Sequence, residues 1–232
     1  MVVSEKPLKV VFKNFYRNKM VNLTATSVKY FLPNAEIYCY SLYKASMDEY
    51  VEQEKLADYI TEFTGPTKYI SGKAVHDHVD ASQTSGFANP LNGAFFMEGF
   101  NLIFEKFKDL DEPILMLAED HYFTTGETLK EVVENDWDVC YAEWDATPPE
   151  LVNRANGSIL GIVPVKVAHL FPVPEVTTCA IEWLIPGYIL QHISPDRRYR
   201  LTTRHAIDYC GDGMYTNSSE VIEQELKKAG II

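Results

Sequence analysis

Glu112-Pro-Ile-Leu-Met-Leu-Ala-Glu-Asp-His-Tyr-Phe123 is the stretch whose reading decides the fold. Its apolar run, Ile114 to Leu117, is too short for a helix and reads as a strand buried on both faces. The run stops at two acids and an imidazole, Glu119, Asp120 and His121, and an aromatic pair, Tyr122 and Phe123, follows at once. Three ionisable side chains at the end of a buried strand are costly to desolvate unless something compensates them. In open α/β sheets the carboxyl end of a strand is also where ligands bind. One divalent cation would account for all three groups together.

Upstream of this stretch, Leu8 to Phe12 is a β-rich run that breaks at Lys13-Asn-Phe-Tyr-Arg-Asn18. A helical pattern follows, with Val21, Ala25, Val28 and Phe31 or Leu32 on one face, and Leu32-Pro-Asn34 ends it. Ala35 to Tyr40 is a second strand, so the order predicts a parallel pair joined by a right-handed crossover. Met47 to Phe63 reads as a helix and Lys68 to Ile70 as a short strand. Ser71 to Asn89 is a long polar loop carrying His76-Asp-His-Val-Asp80, and loops of that length are usually functional or mobile. Gly93 to Phe107 looks helical, with Phe96, Phe100, Ile103, Phe104 and Phe107 as its buried stripe.

Downstream, a helix spans Glu127 to Glu134, and strands run from Asp138 to Trp144 and from Ser158 to Val163. Asp145 to Asn156 is the loop between those strands, and Pro164 to Leu170 is a short helix. Thr177 or Thr178 caps a helix that contains Glu182 and Trp183 and is interrupted at Pro186-Gly187. Leu201 to Tyr209 is a strand, Gly211-Asp-Gly213 a turn, and Val221 to Ala229 a last amphipathic helix stopped by Gly230. This alternation predicts an α/β fold in one domain over residues 1–232.

With 232 residues, 46% of them hydrophobic, the chain is long enough to bury the core of one such domain. The formal charge of −12 comes from 33 acids against 21 bases, and the longest basic run is Asp196-Arg-Arg-Tyr-Arg200. That run suits one phosphate group. Duplex nucleic acid is not expected as a direct partner, because it needs a basic stripe to neutralise its backbone. Four widely spaced cysteines, Cys39, Cys140, Cys179 and Cys210, read as reduced thiols in a cytosol-like compartment. No apolar run approaches a membrane-spanning length and the first residues form no secretion signal, so the expected location is cytoplasmic.

The order of these features resembles the GT-A class of nucleotide-sugar-dependent glycosyltransferases over most of the chain. Three parts carry the resemblance. Val10-Val-Phe-Lys-Asn-Phe-Tyr-Arg17, then a helix, then Glu36-Ile-Tyr-Cys-Tyr40, is similar to the nucleotide-binding half of that fold. Asn92-Gly-Ala-Phe-Phe-Met-Glu-Gly-Phe-Asn101 resembles the helix that often precedes the metal motif. Leu115-Met-Leu-Ala-Glu-Asp-His-Tyr-Phe123 resembles the acidic "DxD" motif itself, and a Gly-Ser-hydrophobic-Gly strand, Asn156-Gly-Ser-Ile-Leu-Gly161, comes after it.

The resemblance implies a GT-A-like (Rossmann-like) mixed, mainly parallel central sheet flanked by helices. About the first 123 residues would bind the donor nucleotide and about 124–232 the acceptor. The implied activity is metal-dependent, hexosyltransferase-like transfer from a nucleoside-diphosphate sugar, UDP-linked by family frequency, to a hydroxyl of a glycan or small acceptor. Mn²⁺ or Mg²⁺ would neutralise the departing diphosphate. In the triplet, His121 stands where an acid is usual, and imidazole favours Mn²⁺ over Mg²⁺. Ser41 likewise stands where many relatives place an acid.

Residue roles follow from the same resemblance, each beside a plainer reading. Asp120 and His121, with His205 as a late third ligand, would hold the metal, while Glu119 and Asp120 face the donor. Acids at that point also suit the positive end of a following helix. Tyr16 would stack on the base and Arg17 pair with phosphate, with Asn14 beside them; the plainer reading is a solvated turn. Asn92 and Asn101 would bond ribose or donor sugar, or else act as caps or buried amides. Glu182 best matches the general base that inverting transfer needs, with Asp145 next, and an enzyme that retains configuration needs neither. Two rivals stay in view. A sugar-phosphate nucleotidyltransferase would carry a Gly-rich loop after the first strand, which Lys13-Asn-Phe-Tyr-Arg17 lacks. A non-catalytic carbohydrate- or protein-binding module of the same fold is the other.

Overall fold

Ile114 to Leu117 lie in a strand at the middle of the sheet, and the sheet is laid out on either side of it. The computed structural model describes residues 2–14, 17–41, 44–45, 54–64, 69–70, 100–119, 121–143, 157–172, 181–202 and 218–232. Seven strands form one sheet: β1 (Lys9–Asn14), β2 (Glu36–Ser41), β4 (Ile60–Thr64), β6 (Ile114–Ala118), β7 (Val139–Glu143), β8 (Gly157–Ile162) and β9 (Arg198–Arg200). Their order is β4-β2-β1-β6-β8-β7-β9. Only β8 is reversed, antiparallel to both β6 and β7. Two short strands, β3 (Lys44–Ala45) and β5 (Tyr69–Ile70), pair separately. The class is therefore α/β with a mixed, mostly parallel sheet.

Helices cover both faces, and the alternation of β6 shows how. Ile114, Leu115, Met116 and Leu117 are each at most 1% exposed. Leu115 and Leu117 join Val10, Phe12 and the apolar stripe of α1 (Asn18–Phe31), namely Val21, Ala25, Val28 and Phe31. Leu129 and Val132 of α3 (Glu127–Glu134) complete that core. Ile114 and Met116 turn the other way, to Val11 and to Phe100, Ile103, Phe104 and Phe107 of α2 (100–107). Beyond a short α4 (Pro164–Val167), Ile189 and Leu190 of α5 (Ile181–His192) pack on that second face. Each of the four β6 side chains contributes about 1.5–3 kcal/mol by its burial.

The last helix, α6 (Ser218–Lys228), packs along α1. Ile222 and Leu226 meet Met20, and Lys19 pairs with Glu223 at 3.4 Å. Gly230 ends it in the left-handed region, at φ 68°. One close approach sets a limit on sequence: a Cβ on Gly161 would lie 2.5 Å from the Trp137 ring and 2.7 Å from Cys140 Sγ. Trp137 is held in place by its Nε1–H to the Val132 carbonyl, 3.0 Å, so this glycine lets β8 pass the indole.

Three expectations change. Residues 60–63, read as the end of a helix, lie in the edge strand β4 parallel to β2. The β-branched and aromatic Ile60, Thr61, Phe63 and Thr64 suit a pleated edge better than a helix. Helix α5 does not stop at Pro186-Gly187 but continues to His192. Buried Ile189, Leu190 and Ile193 on the sheet offset the hydrogen bond the proline removes. A short strand, β9, ends at Arg200 with Tyr199 packed inward between two arginines, and Leu201 and Thr202, expected in a strand, lie outside it. Residues 203–209 of that expectation lie outside the described ones.

Candidate functional site

A parallel sheet binds ligands where its connections change direction. From β1 the chain steps to β2 and on to β4 on one side, then crosses back to place β6 on the other. The carboxyl ends of β1 and β6 therefore mark the switch point at which such sheets leave a crevice. Register brings the two ends level, with Lys13 opposite Ala118. Asn14 and Arg17 lie at one end and Glu119 and His121 at the other, and Arg17 meets Glu119 between them.

Each of these side chains is held. Asn14 is fully buried, and its Oδ1 accepts the Arg17 N–H at 2.7 Å while its Nδ2 donates to Asn18 Oδ1 at 2.9 Å. That pair of bonds fixes the corner between β1 and α1 and so aims Arg17. Arg17 Nη1 lies 3.6 Å from Glu119 Oε1, with side-chain exposures of 19% and 6%. The gap is a charge contact, too long for a hydrogen bond. Nη1 also reaches Met20 Sδ at 3.8 Å. Glu119 is thereby matched by a guanidinium, the partner a buried carboxylate requires.

The chain turns just beyond β6, where His121 N–H donates to the Ala118 carbonyl at 3.1 Å. The aromatic pair pins the exit: Tyr122 is buried against Met20, Ile222 and Leu226, and Phe123 N–H donates to Ser27 Oγ at 3.1 Å. His121 closes the turn a second time, because the Ala118 N–H donates to its Nδ1 at 3.2 Å. A nitrogen that accepts an amide proton is unprotonated, so the neutral ring carries its hydrogen on Nε2.

That arrangement bears directly on a metal. With Nδ1 engaged by an amide and Nε2 protonated, His121 as placed presents no lone pair to a cation. Glu119 is already opposed by Arg17. Among the described residues, no group of three or more His, Cys, Asp and Glu side chains is positioned to hold a metal ion. The described donors of the triplet therefore do not fit a divalent cation.

The other predicted site residues are placed as follows. Asn101 is half-buried at the start of the described part of α2, next to Phe100, whose ring lies 4.7 Å from Lys13 Nζ. It thus stands at the same sheet edge. Glu182 lies in the first turn of α5, of which the backbone alone is described there. The far end of α5 meets the opposite edge, where Arg198 Nε donates to the Ile193 carbonyl at 2.7 Å, so the start of α5 points toward the switch-point edge. Tyr16, Asn92, Asp120, Asp145 and His205, and the His76–Asp80 segment, lie outside the described residues. Two participants escaped the sequence reading, Asn18 and Met20. The Asn-x-x-x-Asn spacing across a strand–helix corner was the available signal for the first, and Met20 carried none.

The two described cysteines, Cys39 and Cys140, are buried free thiols. Burial, reinforced by the Glu131 carboxylate, pushes the Cys140 thiol up, so it is an inert packing group. Asn22 of the first Asn-x-Thr triplet donates to the Lys55 carbonyl at 2.9 Å and accepts the Ala57 N–H at 2.9 Å, tying α1 to the approach of β4. No helix among the described residues is long and apolar enough to cross a membrane. No family model matches the chain, and no curated protein and no solved structure matches it.

Proposed function

We propose that the chain is a GT-A-like glycosyltransferase that takes a nucleoside-diphosphate sugar, UDP-linked, and passes the sugar to a hydroxyl of a glycan or small acceptor. One observation carries the reading: Arg17 and Glu119, named from sequence on the donor side, meet at 3.6 Å across the switch point of the sheet. A parallel β4-β2-β1-β6 half continued by a reversed β8 supports a GT-A-like arrangement. In inverting transfer the acceptor oxygen attacks the anomeric carbon, the carbon–oxygen bond to the diphosphate breaks, and Glu182 takes the acceptor proton, with Asp145 as second candidate. The diphosphate leaves with the bonding pair and is met by Arg17. Asn101, with Asn92, would bond the ribose or the sugar.

Mn²⁺ or Mg²⁺, which the resemblance implies, is assigned to Asp120 and His205, and no step is derived through it. Buried thiols in the reduced form fit a cytoplasmic location. Isothermal titration with UDP and other nucleoside diphosphates, with and without Mn²⁺, tests the reading. Binding is expected, together with slow hydrolysis of a UDP-sugar in a donor screen and loss of that hydrolysis in Glu182→Gln. Absence of nucleotide binding under both conditions would overturn it.

A further inference from the structure

Helix α6 is joined to the strand-end site by a small core of its own. Its two fully buried side chains, Ile222 and Leu226, lie one turn apart on one face and pack with Met20 and Tyr122, apart from the two cores that flank the sheet. Val221 and the run from Lys227 to Gly230 are exposed. The carboxyl end is closed locally. Gly230 N–H donates to the Lys227 carbonyl at 3.0 Å and Ile231 N–H to the Leu226 carbonyl at 2.9 Å, which folds Ile231 back onto the cluster. A helix of 11 residues is marginal in water by itself, so docking and helix formation go together. The half-exposed Lys19–Glu223 pair adds little, which leaves the apolar side chains as the grip.

Both residues under that grip belong to the strand ends. Met20 is one turn along α1 from Arg17, whose Nη1 lies 3.8 Å from Met20 Sδ. Tyr122 stands between His121, whose N–H donates to the Ala118 carbonyl, and Phe123, whose N–H donates to Ser27 Oγ. One support thus leads to Arg17 and the other to the turn that carries Glu119. The two converge on the 3.6 Å contact between Arg17 and Glu119.

We infer that α6 is a strap that docks and undocks as a unit, and that its docking holds the Arg17–Glu119 contact in place. Docked, it backs Met20 and Tyr122; undocked, it uncovers both, and the turn beyond β6 opens with it. Whatever binds the strand ends in their paired form then favours the docked helix, by linkage. The strap stands whether or not that ligand is a nucleotide, so it goes beyond the reading above.

Amide exchange of the wild-type chain, followed by NMR in low urea, tests this without a variant. The Leu226 amide within α6 and the amides of His121 and Phe123 are expected to share one opening equilibrium, more populated than that of the β1 and β6 amides by about tenfold or more. In Leu226→Ala the three should open more often by one common factor, again about tenfold or more. In Ile189→Ala, whose side chain is buried on the sheet beneath α5, the β1 and β6 amides should open more often while the strap set keeps its wild-type equilibrium, because the docked and undocked forms lose the same contact. Opening of α6 while His121 and Phe123 stay protected overturns the coupling. Opening of all three only together with β1 and β6 overturns the strap.

Discussion

Two arginine–carboxylate sites lie on opposite edges of the same sheet, and they are built to opposite specifications. At the amino ends of β7 and β9, Arg197 spends its whole fork. Nη1 and Nη2 reach the two oxygens of Asp136 at 2.7 and 3.1 Å, and Nε and Nη2 reach Asp138 Oδ1 at 3.2 and 2.8 Å. Asp136 is 85% exposed and Arg197 34%. Asp138 N–H also donates to the Arg197 carbonyl at 2.9 Å, so the cluster is a staple between two strand starts. At the carboxyl ends of β1 and β6, Arg17 and Glu119 are nearly buried, yet they approach only to 3.6 Å. A pair evolved for stability alone would close into hydrogen bonds. The better geometry sits where water makes it worth little, and the looser one where desolvation makes charge expensive.

The largest effect expected from this contrast is on stability at the buried site. Arg17→Ala removes the guanidinium that faces the buried Glu119 carboxylate, and breaking such a pair costs about 3 kcal/mol. Urea unfolding should show the midpoint fall by the corresponding amount. Arg17→Met/Glu119→Gln, which removes both charges, should recover most of the loss, since a buried pair is often no better than its uncharged replacement. If the double variant is as unstable as the single one, Arg17 acts through its packing on Met20, and the contrast between the two edges weakens. Arg197→Ala should move the midpoint far less.

How much of this was legible beforehand differs by region for physical reasons. The burial of β6 was readable because a run of four large apolar residues ending in charge has few other solutions. Helix α3, from Glu127 to Glu134, was equally plain from its pattern. Strand β4 was misread because Met47 to Phe63 holds enough helix formers to hide the β-branched Ile60-Thr61. Pairing with β2 overrode that local preference. At the site, sequence placed Arg17 and Glu119 on the donor side but could not pair them, because the pairing depends on the register of β1 with β6. It placed a metal on His121 because an acid is usual there. Only the direction of the Ala118 amide, a backbone detail no side-chain pattern encodes, shows that Nδ1 of the ring faces the backbone.

Salt gives a smaller and cleaner separation of the two edges. Raising ionic strength from about 0.1 M to about 1 M shortens the screening length from about 10 Å to about 3 Å, and this acts on solvent-exposed charges. The stability gap between wild type and Arg197→Ala should therefore shrink at high salt in paired thermal melts, while the gap for Arg17→Ala should hold. A salt-sensitive Arg17 gap would mean that water reaches the strand ends freely, and the buried character of that pair would be lost as a distinction.

The smallest effect concerns the titration of Asp136. Its hydrogen bonds to Arg197, and then the guanidinium charge, hold the carboxyl below its ordinary value of 3.8. A group whose folded pKa is depressed stabilises the fold fully above its unfolded pKa and loses that contribution as pH falls through the folded value. The gap between wild type and Asp136→Asn should thus be flat from neutral pH down to about 5 and close only below the ordinary 3.8. High exposure keeps the gap small at every pH, so it should be measured at low salt, where it is widest. Should the gap persist unchanged at acid pH, the contribution of Asp136 is hydrogen bonding that survives protonation, not charge. Arg197 would then hold β9 by the geometry of its hydrogen-bonded fork to both Asp136 and Asp138, and that fork, not charge, would separate this edge from the longer Arg17–Glu119 contact.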